Sequence, residues 1–257
     1  MPALAIMSNF PVAQLIELFS SAQGEGPYVG ARQVFLRFSG CNLACNYCDT
    51  VRDRQQHCQI EGTPGRGDFD AVGNPVSLET VVAVLTRWEH GWPGLHHSLS
   101  ITGGEPLLAV EILEAWLPVL RRHLPVLLET NGTLPDAFVR VREWISILSM
   151  DIKLPSTTGK APQWEVHQDF LGLAQGIESF VKVVVSQETE DWEIQKSASL
   201  IAHVSDRIPL ILQPMSPLRA GETSISALRL LELQEMASRC LRDVRIIPQT
   251  HKYIGAP

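Results

Sequence analysis

The chain has 257 residues, 45% of them hydrophobic, and a formal net charge of −7. A chain of this length can bury a sizeable core, so we expect one domain over residues 1–257. Lysine and arginine are spread along the chain, which argues against an extended phosphate-binding surface and against direct contact with nucleic acid. We find neither a secretory signal pattern nor an apolar run of about 18 residues, and therefore expect a cytoplasmic protein without a membrane segment.

The predicted elements begin with an extra strand within residues 14–26, which leads into a Gly-rich turn. Six short apolar runs follow, and a segment with helical periodicity comes after each of them. Their apolar residues are consecutive, as in parallel strands that are buried on both faces. The predicted strands are 33–38, 98–102, 126–130, 145–151, 179–185 and 209–213, and the predicted helices are 78–89, 110–123, 136–144, 164–175, 191–204 and 225–239.

Six β/α units predict an α/β fold, in the form of an incomplete (β/α)6 TIM-like barrel with the extra N-terminal strand. Residues 52–76 interrupt the alternation and are rich in glycine, proline and charge. We expect them to form a loop or lid insertion. The unusual sequences of the chain follow the predicted strands, where parallel barrels place their sites. They are SGCNLACNYCDT (39–50), TGGEP (102–106), ETNG (129–132), SMDIK (149–153) and QPMSP (213–217).

Three of the five cysteines lie in one short loop, with the spacing Cys41-x3-Cys45-x2-Cys48. An odd number of cysteines, three of them clustered, fits a disulfide framework poorly and favours thiolates that are kept reduced to bind a metal. One alternative is structural zinc, with Cys58 or His57 as the fourth ligand, although zinc sites usually combine two separate ligand pairs. A [4Fe–4S] cluster is the better physical match, because three thiolates leave one iron open for chemistry.

This spacing, with Tyr47 before the last cysteine, resembles the signature of the radical S-adenosylmethionine (SAM) superfamily, and TGGEP resembles the next motif of that superfamily. The resemblance implies that SAM chelates the open iron and is cleaved to a 5′-deoxyadenosyl radical. Glycines in the second motif would let the backbone approach the methionyl amino group. The implied SAM contacts are Gly103, Gly104, Glu105, Ser149, Met150, Asp151, Lys153 and Gln213.

Four features outside these motifs resemble the 7-carboxy-7-deazaguanine synthase family: SAQGEG at 21–26, Arg37, the pair Asp49-Thr50 and the tail 248–257. That family converts 6-carboxy-5,6,7,8-tetrahydropterin to 7-carboxy-7-deazaguanine with loss of ammonia, on the route to queuosine and related 7-deazapurines. The resemblance therefore implies SAM and Mg2+ as cofactors. It also implies an electron donor such as flavodoxin or ferredoxin, and a homodimer.

The side chains suit such a substrate. Glu25 and the Gln23 amide match the N–H edge of a pterin, and Arg37 matches its carboxylate. Asp49 is the better Mg2+ ligand from sequence alone, but the resemblance favours Thr50. The implied substrate contacts are Ala22, Gln23, Gly24, Glu25, Arg37, Thr102 and Pro257, the last through its terminal carboxylate as the tail closes the site.

Two departures from the family pattern stand out, namely the long insertion after Thr50 and Ala22 in place of a bulkier apolar residue. Cys58 and Cys240 match no family position. Two alternatives remain: a radical SAM activase of a glycyl radical enzyme, which has no evident need for QGEG, Arg37 or the QTHK tail, and a metal-stabilised nucleic-acid-binding module. The second predicts a basic, aromatic surface, which the acidic composition disfavours.

Overall fold

The computed structural model describes residues 10–48, 50, 53–216 and 224–256, and within them the chain forms an α/β fold around a ten-stranded mixed sheet. The strand order is β10-β9-β8-β7-β6-β5-β2-β1-β3-β4. The strands are β1 Leu15–Ala22, β2 Arg32–Phe38, β3 His57–Glu61, β4 Phe69–Gly73, β5 Ser98–Gly103, β6 Val126–Thr130, β7 Ile147–Ile152, β8 Glu178–Val185, β9 Leu210–Pro214 and β10 Val244–Ile246.

The six predicted parallel strands are confirmed, and they lie side by side as β2, β5, β6, β7, β8 and β9. Consecutive apolar residues form these strands because helices and loops cover both of their faces. Strand β10, which the sequence analysis did not predict, extends the parallel set beyond β9. Since the order ends at β10 and β4, the described sheet has two edges, and the incomplete barrel stays a prediction.

The predicted helices are also confirmed, with ends that shift by a few residues. The second helix ends at Leu120, two residues beyond Pro118. In the described part of the chain, no helix has the length and apolar character needed to cross a membrane. The helices are α1 Leu78–Gly91, α2 Val110–Leu120, α3 Pro135–Val141, α4 Pro155–Thr158, α5 Trp164–Leu173, α6 Asp191–Val204, α7 Ala227–Ser238 and α8 Thr250–Ile254.

The insertion after the cysteine loop differs from its prediction as a loop or lid. Its described residues contain the antiparallel hairpin β3–β4, and β3 pairs in parallel with the predicted extra strand, β1. Cys58 and Ile60 are buried while His57 and Gln59 are exposed, so this part of β3 alternates as a half-buried strand does. The Glu61 carboxylate accepts hydrogen bonds from the backbone N–H groups of Ser20 and Gly67, at 2.9 and 2.8 Å. The insertion therefore widens the sheet.

The face of the sheet away from the main core changes from apolar to charged along the parallel strands. Residues two positions apart on a strand point to the same face of the sheet. On this face Leu127 is followed by Glu129 on β6, and Phe180 is followed by Lys182 on β8. The apolar members belong to a small buried cluster of their own. The charged members line a cavity at the C-terminal ends of the strands. This change from apolar to charged side chains locates the candidate site at the C-terminal ends of the strands.

Candidate active site

A cavity of about 180 Å³ lies where the predicted motifs meet. It brings together the cysteine loop, the TGGEP turn and the ends of the later strands, as the sequence analysis expects. Of the predicted site residues, those that line it are Cys41, Cys45, Cys48, Thr50, Glu25, Arg37, Thr102, Gly103, Gly104, Asp151, Lys153 and Gln213.

The three cysteines share this cavity. Burial raises the pKa of the Cys41 thiol, and the charges of Glu105, Cys45 and Cys48 add to the shift. Among the described residues, no three His, Cys, Asp or Glu side chains are grouped to hold a metal ion. A [4Fe–4S] cluster with cysteine ligands takes each thiolate on a different iron, and the three thiols that line this one cavity offer such a ligand set.

The glycines of TGGEP allow this turn to pack against the cysteine loop. Gly103 has a φ of +132°, and a Cβ built on it would lie 2.1 Å from the carbonyl oxygen of Phe38. A Cβ on Gly104 would lie 1.9 Å from the carbonyl oxygen of Gly40. Any side chain at these two positions would push the cysteine loop away. The turn is thus a backbone cradle directly beside the cysteines.

The side chain of Glu105, a predicted SAM contact, is buried and directed into the protein. Its carboxylate accepts hydrogen bonds from Thr130 Oγ1 at 2.8 Å, from the Asn131 N–H at 2.7 Å and from the Leu107 N–H at 3.1 Å. Burial raises the pKa of Glu105 to about 7 against the effect of these bonds. Glu105 therefore joins the TGGEP turn to the ETNG turn.

The ETNG turn also reaches the cysteine loop. Asn131 Nδ2 donates to Asn42 Oδ1 at 2.9 Å, and Asn42 Nδ2 donates to Thr133 Oγ1 at 2.8 Å. Nε2 of the buried His167 lies 3.0 Å from the carbonyl oxygen of Asn131 and holds the turn from behind. Asn42 directly follows Cys41, so this network fixes the first cysteine of the loop. The sequence analysis did not identify it.

The SMDIK segment divides between the two faces of β7. Asp151 lines the cavity and accepts a hydrogen bond from Lys153, whose Nζ lies 2.7 Å from Oδ2 and 3.2 Å from the Tyr47 hydroxyl. Ser149 is buried two residues deeper on the same face, outside the cavity lining. The Met150 side chain lies on the opposite face, in the main core, because side chains alternate along a strand. The predicted SAM contacts at Ser149 and Met150 are therefore not side chains of this cavity.

Three further predicted substrate contacts line a second cavity of about 110 Å³, which shares Glu25, Arg37 and Thr102 with the first. Ala22, Gln23 and Gly24 all belong to it. The Gln23 side chain is buried, and Nε2 donates to Gln33 Oε1 at 2.9 Å and to Glu129 Oε1 at 3.1 Å. The two cavities together join the cysteine loop to the SAQGEG segment.

Two charged residues of the site, Glu129 and Lys182, were missed in the sequence analysis. Glu129 lines both cavities and accepts a hydrogen bond from the Thr102 hydroxyl at 2.9 Å. Lys182 donates a hydrogen bond to Glu25. Burial alone would raise the pKa of Glu25, but the Lys182 charge and its hydrogen bond outweigh it and lower the pKa to about 2. A charged residue inside the apolar runs VLLET and SFVKVVV was the available signal.

The C-terminal tail packs on the SAQGEG segment. The Thr250 N–H donates to the carbonyl oxygen of Gly24 at 2.9 Å, and Gln249 Nε2 donates to Glu25 Oε1 at 2.8 Å. The tail forms the short helix α8, which the sequence analysis did not predict. Asp49 and Pro257, predicted around the Mg2+ ion and the substrate, lie outside the described residues.

A sequence model of the Radical SAM superfamily matches residues 36–168 of the chain. The fold and the three-cysteine cavity accordingly define a radical SAM protein. The chain is 55% identical over 247 residues to the 7-carboxy-7-deazaguanine synthase of Geobacter sulfurreducens, which covers 95% of this chain and 98% of the relative. It is 34% identical to the synthase of Methanothermobacter thermautotrophicus, over 95% of this chain and 97% of the relative. The chain belongs to the 7-carboxy-7-deazaguanine synthase family.

The fold is similar to that of QueE from Escherichia coli, with a TM-score of 0.56 and 21% identity. The similarity covers 98% of this chain and 99% of the other.

Proposed function

We propose that the protein converts 6-carboxy-5,6,7,8-tetrahydropterin to 7-carboxy-7-deazaguanine with loss of ammonia, on the route to queuosine and related 7-deazapurines. The carrying observation is that Glu25, Arg37 and Thr102 line one cavity with the three cysteines. The chain that carries this arrangement is 55% identical, over 95% of its length, to a relative named 7-carboxy-7-deazaguanine synthase. The named relatives are synthases, which argues against the activase alternative.

The three cysteines would hold a [4Fe–4S] cluster, and the cradle of Gly103 and Gly104 lies beside them to take SAM by its backbone. A cluster and SAM bound there would supply the 5′-deoxyadenosyl radical chemistry of the superfamily. Asp151, Lys153 and Gln213 line the same cavity and offer one carboxylate, one ammonium and one amide to the polar groups of SAM. The electron enters from a carrier such as flavodoxin or ferredoxin.

The pterin would lie across the two connected cavities. The ionised Glu25 already accepts hydrogen bonds from Lys182, Gln213 and Gln249 and can accept a further N–H donor from the pterin ring. The Arg37 guanidinium can bind the pterin carboxylate. The Thr102 hydroxyl is already oriented by Glu129, at 2.9 Å. These groups would fix which face of the substrate is turned towards the cysteine side of the cavity.

Three further assignments complete the proposal. Thr50, at the cavity wall, ligates Mg2+ through its hydroxyl together with substrate oxygens and water. The α-carboxylate of Pro257 contacts the substrate, in continuation of the docked tail. Residues 1–257 act as one radical SAM domain in a cytoplasmic homodimer that does not bind nucleic acid directly.

The test is anaerobic reconstitution with iron and sulfide, followed by incubation with SAM, dithionite and the carboxytetrahydropterin. We expect about four irons per chain, as in a [4Fe–4S] cluster, and mass detection of 7-carboxy-7-deazaguanine. The matched variant Cys45→Ala should lose iron and form no product. A reconstituted protein that binds stoichiometric zinc and no iron, or that cleaves SAM without consuming the pterin, would contradict the proposal.

A further inference from the structure

Lys182 is a buried cation at the junction of the two cavities, and the residues predicted from motifs do not include it. Its side chain is 8% exposed. Nζ donates a hydrogen bond to Glu25 Oε2 and lies 3.3 Å from Asp151 Oδ1. Glu25 belongs to the proposed substrate segment and Asp151 to the proposed SAM segment. One ammonium group thus contacts a carboxylate of each.

The charges around Lys182 keep it protonated. Burial favours the neutral amine and would lower its pKa, but the carboxylates of Asp151, Glu25 and Glu129 raise the pKa above its ordinary value. A buried lysine in this position is costly unless it is paired, and here three carboxylates face it. Packing alone does not explain a lysine here, because an apolar residue at this position of β8 would bury the same surface without the desolvation penalty of a charge.

Glu25 depends on this cation more than on its other partners. Its Oε1 accepts hydrogen bonds from the amides of Gln213, at 3.1 Å, and Gln249, at 2.8 Å. Both donors are neutral. Lys182 contributes the largest effect that opposes burial and keeps the carboxylate ionised. Without this ammonium group, the effect of burial, which raises the pKa of Glu25, would be opposed by fewer groups, and a protonated acid is a weaker acceptor for the N–H groups of a ligand.

We propose that Lys182 is a positioning residue of the substrate site, which holds Glu25 as an oriented carboxylate ready to accept the N–H groups of the pterin. This inference rests on the proposed function, because it takes the pterin as the ligand of Glu25. Lys182 acts through Glu25 and does not touch the reacting atoms. The other charged groups that face this pair are Arg37, Glu129, Asp151, Lys153, His251 and Lys252.

The experiment measures pterin affinity by calorimetry on the anaerobically reconstituted protein with SAM bound, at several pH values between about 6 and 9. The variants are Lys182→Met, which keeps the length of the side chain without the charge, and Lys196→Met, an exposed control on α6. We expect Lys182→Met to weaken binding relative to the parent, with the deficit growing to at least about tenfold as the pH falls and Glu25 takes up a proton. Lys196→Met should follow the parent at every pH.

The double variant Lys182→Met/Glu25→Gln separates positioning from folding. Glutamine does not titrate, so the pH dependence of the deficit should disappear although binding stays weak. Iron content should match the parent in all variants, and SAM is kept at a saturating concentration because Lys182 also contacts Asp151. Equal pterin affinity for the parent and Lys182→Met across the pH range would overturn the inference, and so would a deficit that is the same at every pH. A parent that does not bind the pterin would instead overturn the proposed function.

Discussion

Glu17 and Arg37 are opposite each other on the antiparallel strands β1 and β2, with Glu17 Oε1 2.6 Å from Arg37 Nε. Both side chains are 24% exposed, and the guanidinium carbon lies 5.7 Å from the centre of the Phe19 ring. Arg37 also lines both cavities. The acidic partner therefore holds the guanidinium at the cavity wall before any ligand binds, which reduces the ordering cost of binding.

Replacement of Arg37 by alanine should weaken binding of the carboxytetrahydropterin. Loss of one partner of a largely desolvated charged hydrogen bond costs about 2–5 kcal/mol of affinity. SAM binding and iron content should stay at the parent level, because the cysteine loop and TGGEP do not involve this side chain. Calorimetry with each ligand measures the difference.

The matched control is Glu17→Gln, which removes the ion pair and retains the guanidinium group. Since Glu17 only orients Arg37, its loss should cost much less pterin affinity than Arg37→Ala. If the two variants lose the same affinity, or if Arg37→Ala loses none, Arg37 serves as the ion-pair partner of Glu17 and not as a substrate ligand.

Thr50→Ala should reduce the stimulation of product formation by Mg2+. The substitution deletes one oxygen ligand of a cation that prefers oxygen, whereas cleavage of SAM needs no such metal. Thr50→Ser keeps the hydroxyl and should retain the Mg2+ response. Titration of Mg2+ against the rate of 7-carboxy-7-deazaguanine formation tests both variants. An unchanged Mg2+ dependence in Thr50→Ala would move the metal to another ligand, with Asp49 the next candidate.

Gly24→Ala should displace the C-terminal tail. A Cβ at Gly24 would lie 1.9 Å from Nδ1 and 2.7 Å from Cβ of His251, so the start of α8 must move. The displaced tail should lose its contacts with Gly24 and Glu25 and lower pterin affinity by at least about tenfold, equivalent to about 1.4 kcal/mol. Limited proteolysis of the tail and calorimetry measure these effects.

The control for this substitution is Gly172→Ala, because a Cβ at Gly172 on α5 meets no atom within 4 Å. It should leave the tail protected and the affinity unchanged. A C-terminal tag would extend the same test to the Pro257 carboxylate, with an N-terminal tag of equal length as its control. If Gly24→Ala binds the pterin as the parent does, the docked tail plays no part in binding.

His96 should make the protein less stable in acid. Burial and the charge of Arg32 lower the pKa of His96 to about 4. Arg32 Nε donates to Ser20 Oγ, so the Ser20 hydroxyl can donate to the unprotonated Nε2 of His96, 2.7 Å away. The histidine is neutral in the folded state down to about pH 4 but takes up a proton below about pH 6.5 when unfolded. Its contribution to stability is therefore present above about pH 6.5 and is lost as the pH falls towards 4.

The expected slope is at most about 1.4 kcal/mol of unfolding free energy per pH unit, which corresponds to one proton. His96→Gln should reduce this slope between about pH 4 and 6.5, as measured by denaturant unfolding. His57→Gln, at an exposed position on β3, is the control and should leave the slope unchanged. A parent and a His96→Gln variant with parallel pH profiles would contradict the assignment.

The fold was predictable where short apolar runs alternate with segments of helical periodicity. The strand at 126–130 has the predicted bounds, and the helix at 191–204 has them too, because both are flanked by clear breaks in the pattern. The hairpin β3–β4 was not predictable in this way. Its first strand, HCQIE, combines charge and amide side chains, and its second strand is mostly exposed. Pairing with β1, a contact between distant segments, stabilises it.

The site was predictable to the extent that motif residues lie at strand ends. The cysteines and the TGGEP glycines line the cavity because a turn after a strand must face its C-terminal edge. The hydrogen bonds of Glu105 to the ETNG turn were not predictable, because a motif does not reveal which way a carboxylate points. Lys182 was missed because its ion-pair partners, Glu25 and Asp151, belong to segments that are distant from it in sequence.

The hydrogen bond from Gln249 to Glu25 joins residues 224 positions apart. On the ribosome, the first strand and all six β/α units therefore emerge before the segment that covers Glu25. A nascent chain that stops short of Gln249 would already have its cysteine loop and could take up iron, but its pterin pocket would stand open to water. Assembly of the cofactor site can precede completion of the substrate site, so these two events can be separated in time during synthesis.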